Sequence, residues 1–277
     1  MGQAPFRIGV IAASSRFPRE IAERLTAHVA ARRPDAALVF HPDAFAVSGH
    51  FAGDDAARAR AVLAIANDPA IDAVWFGRGG YGAARITPAV MAGVKAAARA
   101  KPWLGYSDAG ALLGGLYRAG LTQLAHGPMG ADILRPGGEA AVDRALSWLV
   151  ERDPAALEPH LDDRPAAAFN LAVLDSIVGT ELEPDLGGHV LMLEEVSEPL
   201  YRIDRMMGHL TGQASIRRAA GVRLGRVGDI IANDPPFGQT PEDIARFWCE
   251  RAGLAFLGGA DIGHDAANRV VPFGRRG

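Results

Sequence analysis

The sequence predicts an α/β protein of two lobes: a parallel-sheet lobe with helices on its faces, then a second lobe of different pattern. Three observations carry this. In the first half, short β-rich runs alternate with longer helical patterns, which is how a parallel sheet with crossover helices reads. Between residues 152 and 168 the chain turns polar and places Pro154, Pro159 and Pro165 in one short stretch, the mark of a connecting segment. A chain of 277 residues is also comfortable for two domains of about 100 to 200 residues each. The expected division is 1–152 for the first lobe, 153–168 for a linker and 169–277 for the second lobe, with a cleft between the lobes.

Taken in order, residues 7–13 read as a first strand and 18–33 as a helix, with Ile21, Leu25 and Val29 recurring every four residues. A second strand is expected at 37–40, a helix at 54–66 and a third strand at 71–76. The fourth strand, 102–106, runs directly into an apolar helical stretch at 109–118; a fifth at 121–126 and a helix at 139–151 close this half. The second half predicts helices at 171–177 and 200–210, and strands at 189–193, 222–231, 255–257 and 269–272. No internal repeat interrupts the pattern.

The hydrophobic fraction of 49% and charged fraction of 22% are those of a globular protein with real cores. A net charge of -3, with both signs scattered, supplies no basic patch for a phosphate backbone, so nucleic acid is not an expected partner. Cys249 is the single cysteine, in a helical stretch at 244–249, and is expected to be a buried thiol with no disulfide partner. No segment approaches the roughly 18 consecutive apolar residues of a membrane span. The apolar run 8–13 is too short for a signal peptide. No membrane association is expected, and the cytoplasm is the expected compartment.

After the third strand comes Gly77-Arg78-Gly79-Gly80-Tyr81-Gly82, which satisfies G-x-G-x-x-G. A dinucleotide site is disfavoured because the loop follows the third strand rather than the first, and no acidic residue for a ribose occurs at 83–106. Two readings remain: a turn that lets strand and helix pack closely, or a loop whose backbone N–H groups face a substrate at the carboxyl edge of the sheet.

Ser107, in Gly105-Tyr106-Ser107-Asp108-Ala109, stands where the fourth strand ends and a helix begins. This is the placement of a nucleophile elbow, with Ala109 in place of the second glycine. The turn lifts the hydroxyl above the sheet, the helix directs its positive end at a developing oxyanion, and the N–H of Asp108 is placed to donate to it. The alternative is a helix N-cap serine. A serine nucleophile needs a general base, usually histidine, and an acid to orient it. His28, His41, His50, His160 and His209 suit surface or structural roles. His126, at a strand end before Gly127-Pro128-Met129, and His264, in a glycine-rich loop, both suit a cleft. Glu194 and Glu195 follow the apolar run Val190-Leu191-Met192-Leu193, so one can point inward and its neighbour outward.

These residues fall, in order, into the motifs of a family. The chain resembles the L,D-carboxypeptidases of the serine peptidase S66 type, the group that includes muramoyl-tetrapeptide carboxypeptidase and the microcin C immunity peptidase. The matching segments are Ile8-Gly9-Val10-Ile11-Ala12-Ala13-Ser14-Ser15, the R-G-G-Y-G-x-x-R segment ending at Arg85, Gly105-Tyr106-Ser107-Asp108 and His126-Gly127-Pro128-Met129. Further along lie Asn170-Leu171, Gly179-Thr180, Leu193-Glu194-Glu195, Tyr201-Arg202-Ile203-Asp204-Arg205-Met206 and Gly263-His264.

The resemblance implies Ser107 as nucleophile, His264 as base and Glu194 as its orienting carboxylate, with an oxyanion hole from the N–H groups of Gly80 and Asp108. It implies a flavodoxin-like, class I amidotransferase-like first lobe, a smaller β-rich α+β second lobe, a homodimer, and a murein tetrapeptide-like peptide substrate that loses its terminal D-alanine. Arg78, Tyr81, Arg85 and His126 are candidate substrate contacts, with Arg78 and Arg85 candidates for its carboxylate. The rival readings are an immunity-type peptidase acting on a peptide–nucleotide conjugate, and a non-catalytic nucleotide or peptide binder. No metal or cofactor is expected: there is no H-E-x-x-H and the histidines lack ligand spacing. Ala168-Phe169-Asn170 departs from the family's Gly-Gly-Asn and brings a bulky ring to the lobe junction, which bears on cleft width.

Overall fold

A computed structural model describes residues 4–275. The first sheet is built from β1 (Phe6–Ile11), β2 (Ala36–Phe40), β3 (Ala73–Phe76), β4 (Trp103–Gly105) and β5 (Leu124–His126). Between and after them come α1 (Arg19–Arg32), α2 (Asp55–Asn67), α3 (Ala83–Gly93), the short α4 (Ala96–Arg99), α5 (Ala109–Arg118) and α6 (Gly138–Glu151). The five strands are parallel in the order β2-β1-β3-β4-β5, the flavodoxin-like order that the resemblance implied.

Helices on both faces explain why β3 and β4 are buried along their whole length and read as unbroken apolar runs. Side chains of alternate parity enter opposite layers. Ile8, Val10, Trp75, Leu104 and Ala125 join the core on one face, and Ile11, Val74, Phe76, Trp103 and Leu124 the core on the other.

The second sheet, β6 (Ala166–Asn170), β7 (Val190–Val196), β8 (Gly221–Gly228) and β9 (Phe256–Gly259), is also parallel, in sequential order. Its crossovers carry α7 (Leu171–Ile177), α8 (Leu200–Gly212) and α9 (Pro241–Ala252). β7 runs three residues beyond the predicted strand, so both glutamates lie within it. The stretch read as a linker is ordered: Pro154–Ala156 forms a 3-10 turn, Leu157 bridges Val270, and β6 already begins at Ala166. The small side chains of 166–168 are buried beside β7.

Two features fasten the lobes together. β10 (Val271–Pro272) leaves the second lobe and pairs antiparallel with β5, completing a six-stranded first sheet. Phe169, expected at the lobe junction, is fully buried there; its ring lies over α5 at Gly110 and Gly114 and 5.1 Å from the ring of Phe273. It points into the junction.

Candidate active site

β1 and β3 are adjacent in the sheet while β2 and β4 lie to either side of them, so the carboxyl ends of β1 and β3 open a crevice of the kind where α/β folds bind ligands. Three loops meet there: 12–18 after β1, 77–82 after β3, and the turn 105–108 after β4. The last carries Ser107, whose φ of +58° is left-handed and strained for a side-chain-bearing residue. That conformation is the sharp strand-to-helix turn that the sequence predicted. Ser107 is partly exposed and lies against Gly79.

The side chain of Asp108 holds these loops together. Its buried carboxylate accepts Ser14 Oγ at 2.5 Å and the N–H of Ala83 at 2.8 Å, and is also bonded by the N–H of Gly82. Burial raises its pKa, and these donors act in the opposite direction. Gly80 has a φ of +111°, and a Cβ there would end 1.8 Å from Ser15 Oγ, so no other residue fits this turn unchanged. The N–H groups of Gly80 and Asp108 find no acceptor among the described residues.

From the second lobe, β7 delivers Glu194 and the loop after β9 delivers His264. Glu194 Oε2 and His264 Nδ1 are 2.5 Å apart; Glu194 is fully buried, and the His264 side chain is 9% exposed. Burial works to lower the imidazole pKa, but the charge and hydrogen bond of Glu194 outweigh it, so the net direction is upward from 6.5. The ring is 4.8 Å from that of Tyr106, the neighbour of Ser107. Tyr106 is fixed in turn by a 2.8 Å hydrogen bond to Asp132, which also accepts from Arg135 Nε and the Met129 N–H. Glu195 faces the other way but is equally buried. It accepts Asn170 Nδ2 at 2.7 Å and the Ala172 N–H at 2.8 Å, and thereby anchors the start of α7.

An irregularity in the β7–β8 register aims Glu194. Leu193 pairs with Leu224 but Glu195 pairs with Val227, so Gly225 and Arg226 together oppose Glu194. A Cβ at Gly225 would sit 2.6 Å from Ile262 and 3.1 Å from Glu194 Cβ. Glycine there allows the loop bearing His264 to close onto β8. An isolated glycine in the strand pattern Val222-Arg223-Leu224-Gly225-Arg226-Val227 is the signal that could have marked it.

The candidate substrate contacts fare differently. Tyr81 is 57% exposed beside the rings of His50 and Phe51. Arg78 is exposed and donates to the Arg16 carbonyl. Arg85 is tied to Asp55 at 2.8 Å and stacks over Phe51, so its charge is already partnered. His126 does not line the cleft: it is 1% exposed, edge-on to Tyr106 and bonded to Asn268 Oδ1 at 3.2 Å. Its place opposite Val271 of β10 takes it into the interior, where burial pushes its pKa down to about 3. Cys249 is buried, and burial raises its thiol to about 11. Among the described residues no cluster of three or more His, Cys, Asp or Glu side chains is arranged to hold a metal ion.

The family model described as the LD-carboxypeptidase N-terminal domain matches residues 8–127, and the model of the C-terminal domain matches 167–277. The murein tetrapeptide carboxypeptidase of Pseudomonas aeruginosa is 30% identical over 231 residues, 75% of this chain and 72% of that protein. Among solved structures, the muramoyltetrapeptide carboxypeptidase of Oxalobacter formigenes superposes with a TM-score of 0.81 at 21% identity, covering 97% of this chain and 92% of the other. The microcin C7 self immunity protein MccF gives 0.79 at 18% identity, covering 99% and 92%. With both domain models matched in order along one chain, the protein belongs to the LD-carboxypeptidase family and is a serine-type carboxypeptidase of that kind.

Proposed function

We propose that the protein hydrolyses the L,D-peptide bond before a terminal D-alanine in murein tetrapeptides, as part of peptidoglycan recycling in the cytoplasm. The observation that carries the chemistry is the buried Glu194–His264 pair, presented beside a turn that holds Ser107 in a strained, left-handed conformation. His264 takes the Ser107 proton as Oγ attacks the scissile carbonyl, and the charge that develops on the carbonyl oxygen is met by the N–H groups of Gly80 and Asp108. The C–N bond then breaks, and His264 returns its proton to the departing amine of D-alanine. Water, activated by the same imidazole, hydrolyses the acyl-serine ester. Glu194 fixes the tautomer that leaves Nε2 as base and stabilises the imidazolium between the two proton transfers.

The substrate reading is supported by the Pseudomonas aeruginosa relative, a murein tetrapeptide carboxypeptidase. The test is release of D-alanine from a murein tetrapeptide by the purified protein and by Ser107→Ala, with an aminoacyl sulfamoyl adenylate as competing substrate. Release by the wild type and none by the variant is expected. Retained release by Ser107→Ala would remove the serine mechanism, and turnover of the adenylate alone would remove the murein substrate.

A further inference from the structure

His264 belongs to the stretch 260–268, which has little regular structure, yet a general base must be held to within a fraction of an ångström. Three arginines grip this loop. Arg226 Nη1 reaches Asp261 Oδ1 at 2.5 Å, Arg226 Nη2 reaches Asp265 Oδ1 at 2.9 Å, and Arg226 Nε bonds the second oxygen of Asp265. The Arg226 N–H donates to the Ile262 carbonyl at 2.8 Å. Arg269 Nε braces the far oxygen of Asp261 at 3.2 Å. From the first lobe, Arg144 Nη1 donates to the carbonyls of Ala266 and Asn268 at 3.0 and 2.9 Å.

Arg226 thus grips the loop three residues before His264 and one residue after it. It stands on β8 at the register irregularity facing Glu194, so one local distortion aims both the carboxylate and the clasp on the imidazole. Each of these ion pairs is partly exposed and would contribute little alone to stability. Their value is orientation, because a planar guanidinium fixes direction where a lysine ammonium would fix only distance.

We infer that Arg226 is a positioning residue for His264, acting through Asp261 and Asp265. The inference rests on the proposed role of His264 as base. It is tested with Arg226→Lys and Arg226→Gln, measured for kcat, KM, pH profile and melting temperature beside Ser107→Ala and His264→Ala. Both Arg226 variants are expected to lose about 10- to 100-fold in kcat, the scale of a small misplacement of a reacting group, with KM changed by no more than about twofold.

The pH profile separates positioning from simple support. The groups around the imidazole are Glu194 and Glu195 on β7, Tyr106 and His126 from β4 and β5, Arg135 beyond β5, Arg144 on α6, Arg226 on β8, and Asp261 and Asp265 in its own loop. Arg226→Gln leaves Asp265 without its counter-ion and Asp261 with Arg269 alone, so the acid limb of kcat/KM should move to higher pH; Arg226→Lys keeps the charge and should leave the limb in place. Wild-type kcat in Arg226→Lys, with Ser107→Ala and His264→Ala inactive, would overturn the inference and leave the catalytic assignment standing. So would a fall in kcat that tracks melting temperature with no movement of the limb in Arg226→Gln. Activity retained by His264→Ala would remove the base itself, and this role with it. If Arg226→Gln does not fold, the Arg226→Lys comparison of kcat and KM alone decides.

Discussion

His126 should make the protein acid-labile over a defined range. Burial holds its imidazole near pKa 3 in the folded chain, against about 6.5 when unfolded. Below that unfolded value the unfolded chain binds the extra proton and the folded chain does not, so the stability that His126 contributes is present above pH 6.5 and is lost as pH falls toward 3. At about 1.4 kcal/mol per pH unit, the loss is about 2 kcal/mol between pH 7 and 5 and about 3 kcal/mol by pH 4. The perturbation is His126→Gln, which keeps a polar group near Asn268 but cannot take up the proton. Urea unfolding of both proteins at pH 7, 6, 5 and 4 gives the difference in unfolding free energy, from which groups common to both cancel. The wild type's advantage should shrink by about 2 kcal/mol from pH 7 to 5. Parallel curves, within about 0.5 kcal/mol over that range, would refute the assignment of His126 as a buried, neutral histidine.

Glu194→Gln should reduce kcat by a factor on the order of 10^3 to 10^4. It should also move the acid limb of kcat/KM to lower pH, because the charge and hydrogen bond of Glu194 are the main causes that hold the His264 imidazole above its ordinary value; a pH–rate profile with an unmoved limb would contradict the pairing. Gly80→Ala forces a side chain into a φ of +111° and against Ser15, and should cost about 10^2 to 10^3 in kcat if this N–H serves the oxyanion, read by D-alanine release. Phe169→Ala should destabilise by about 3 to 5 kcal/mol through the cavity it leaves, read by urea unfolding, with KM nearly unchanged. A large rise in KM would instead put the ring in the substrate's path.

What the sequence made legible was what local chemistry dictates. The alternating strands and helices, the strained turn at Ser107 and the glycine loop beside it follow from residues close together in the chain, and α5 runs over 109–118 as predicted. The strand end at 193 was misplaced because two successive glutamates resemble a solvent-facing terminus. Tertiary pairing with β6 and β8 overrides that, and gives each carboxylate its own buried partners.

His126 resembled a cleft residue because it is polar and ends a strand; its burial depends on β10, which arrives 145 residues later. Likewise, nothing within the R-G-G-Y-G-x-x-R segment shows that Asp55 occupies Arg85. The joining of Glu194 to His264 was reached through the ordered motifs of a family, since their separation of 70 residues carries no local signal.

The return of β10 to the first sheet bears on how the molecule is made. The exposed flank of β5 has no partner until Val271 and Pro272 reach it, and Ala166, at the opening of the second sheet, exchanges backbone hydrogen bonds with Gly274. Neither lobe is therefore complete until residues 271–274 have been made. Until then the growing polypeptide presents a raw β-edge of the kind that invites mispairing, and one short segment closes both halves at once.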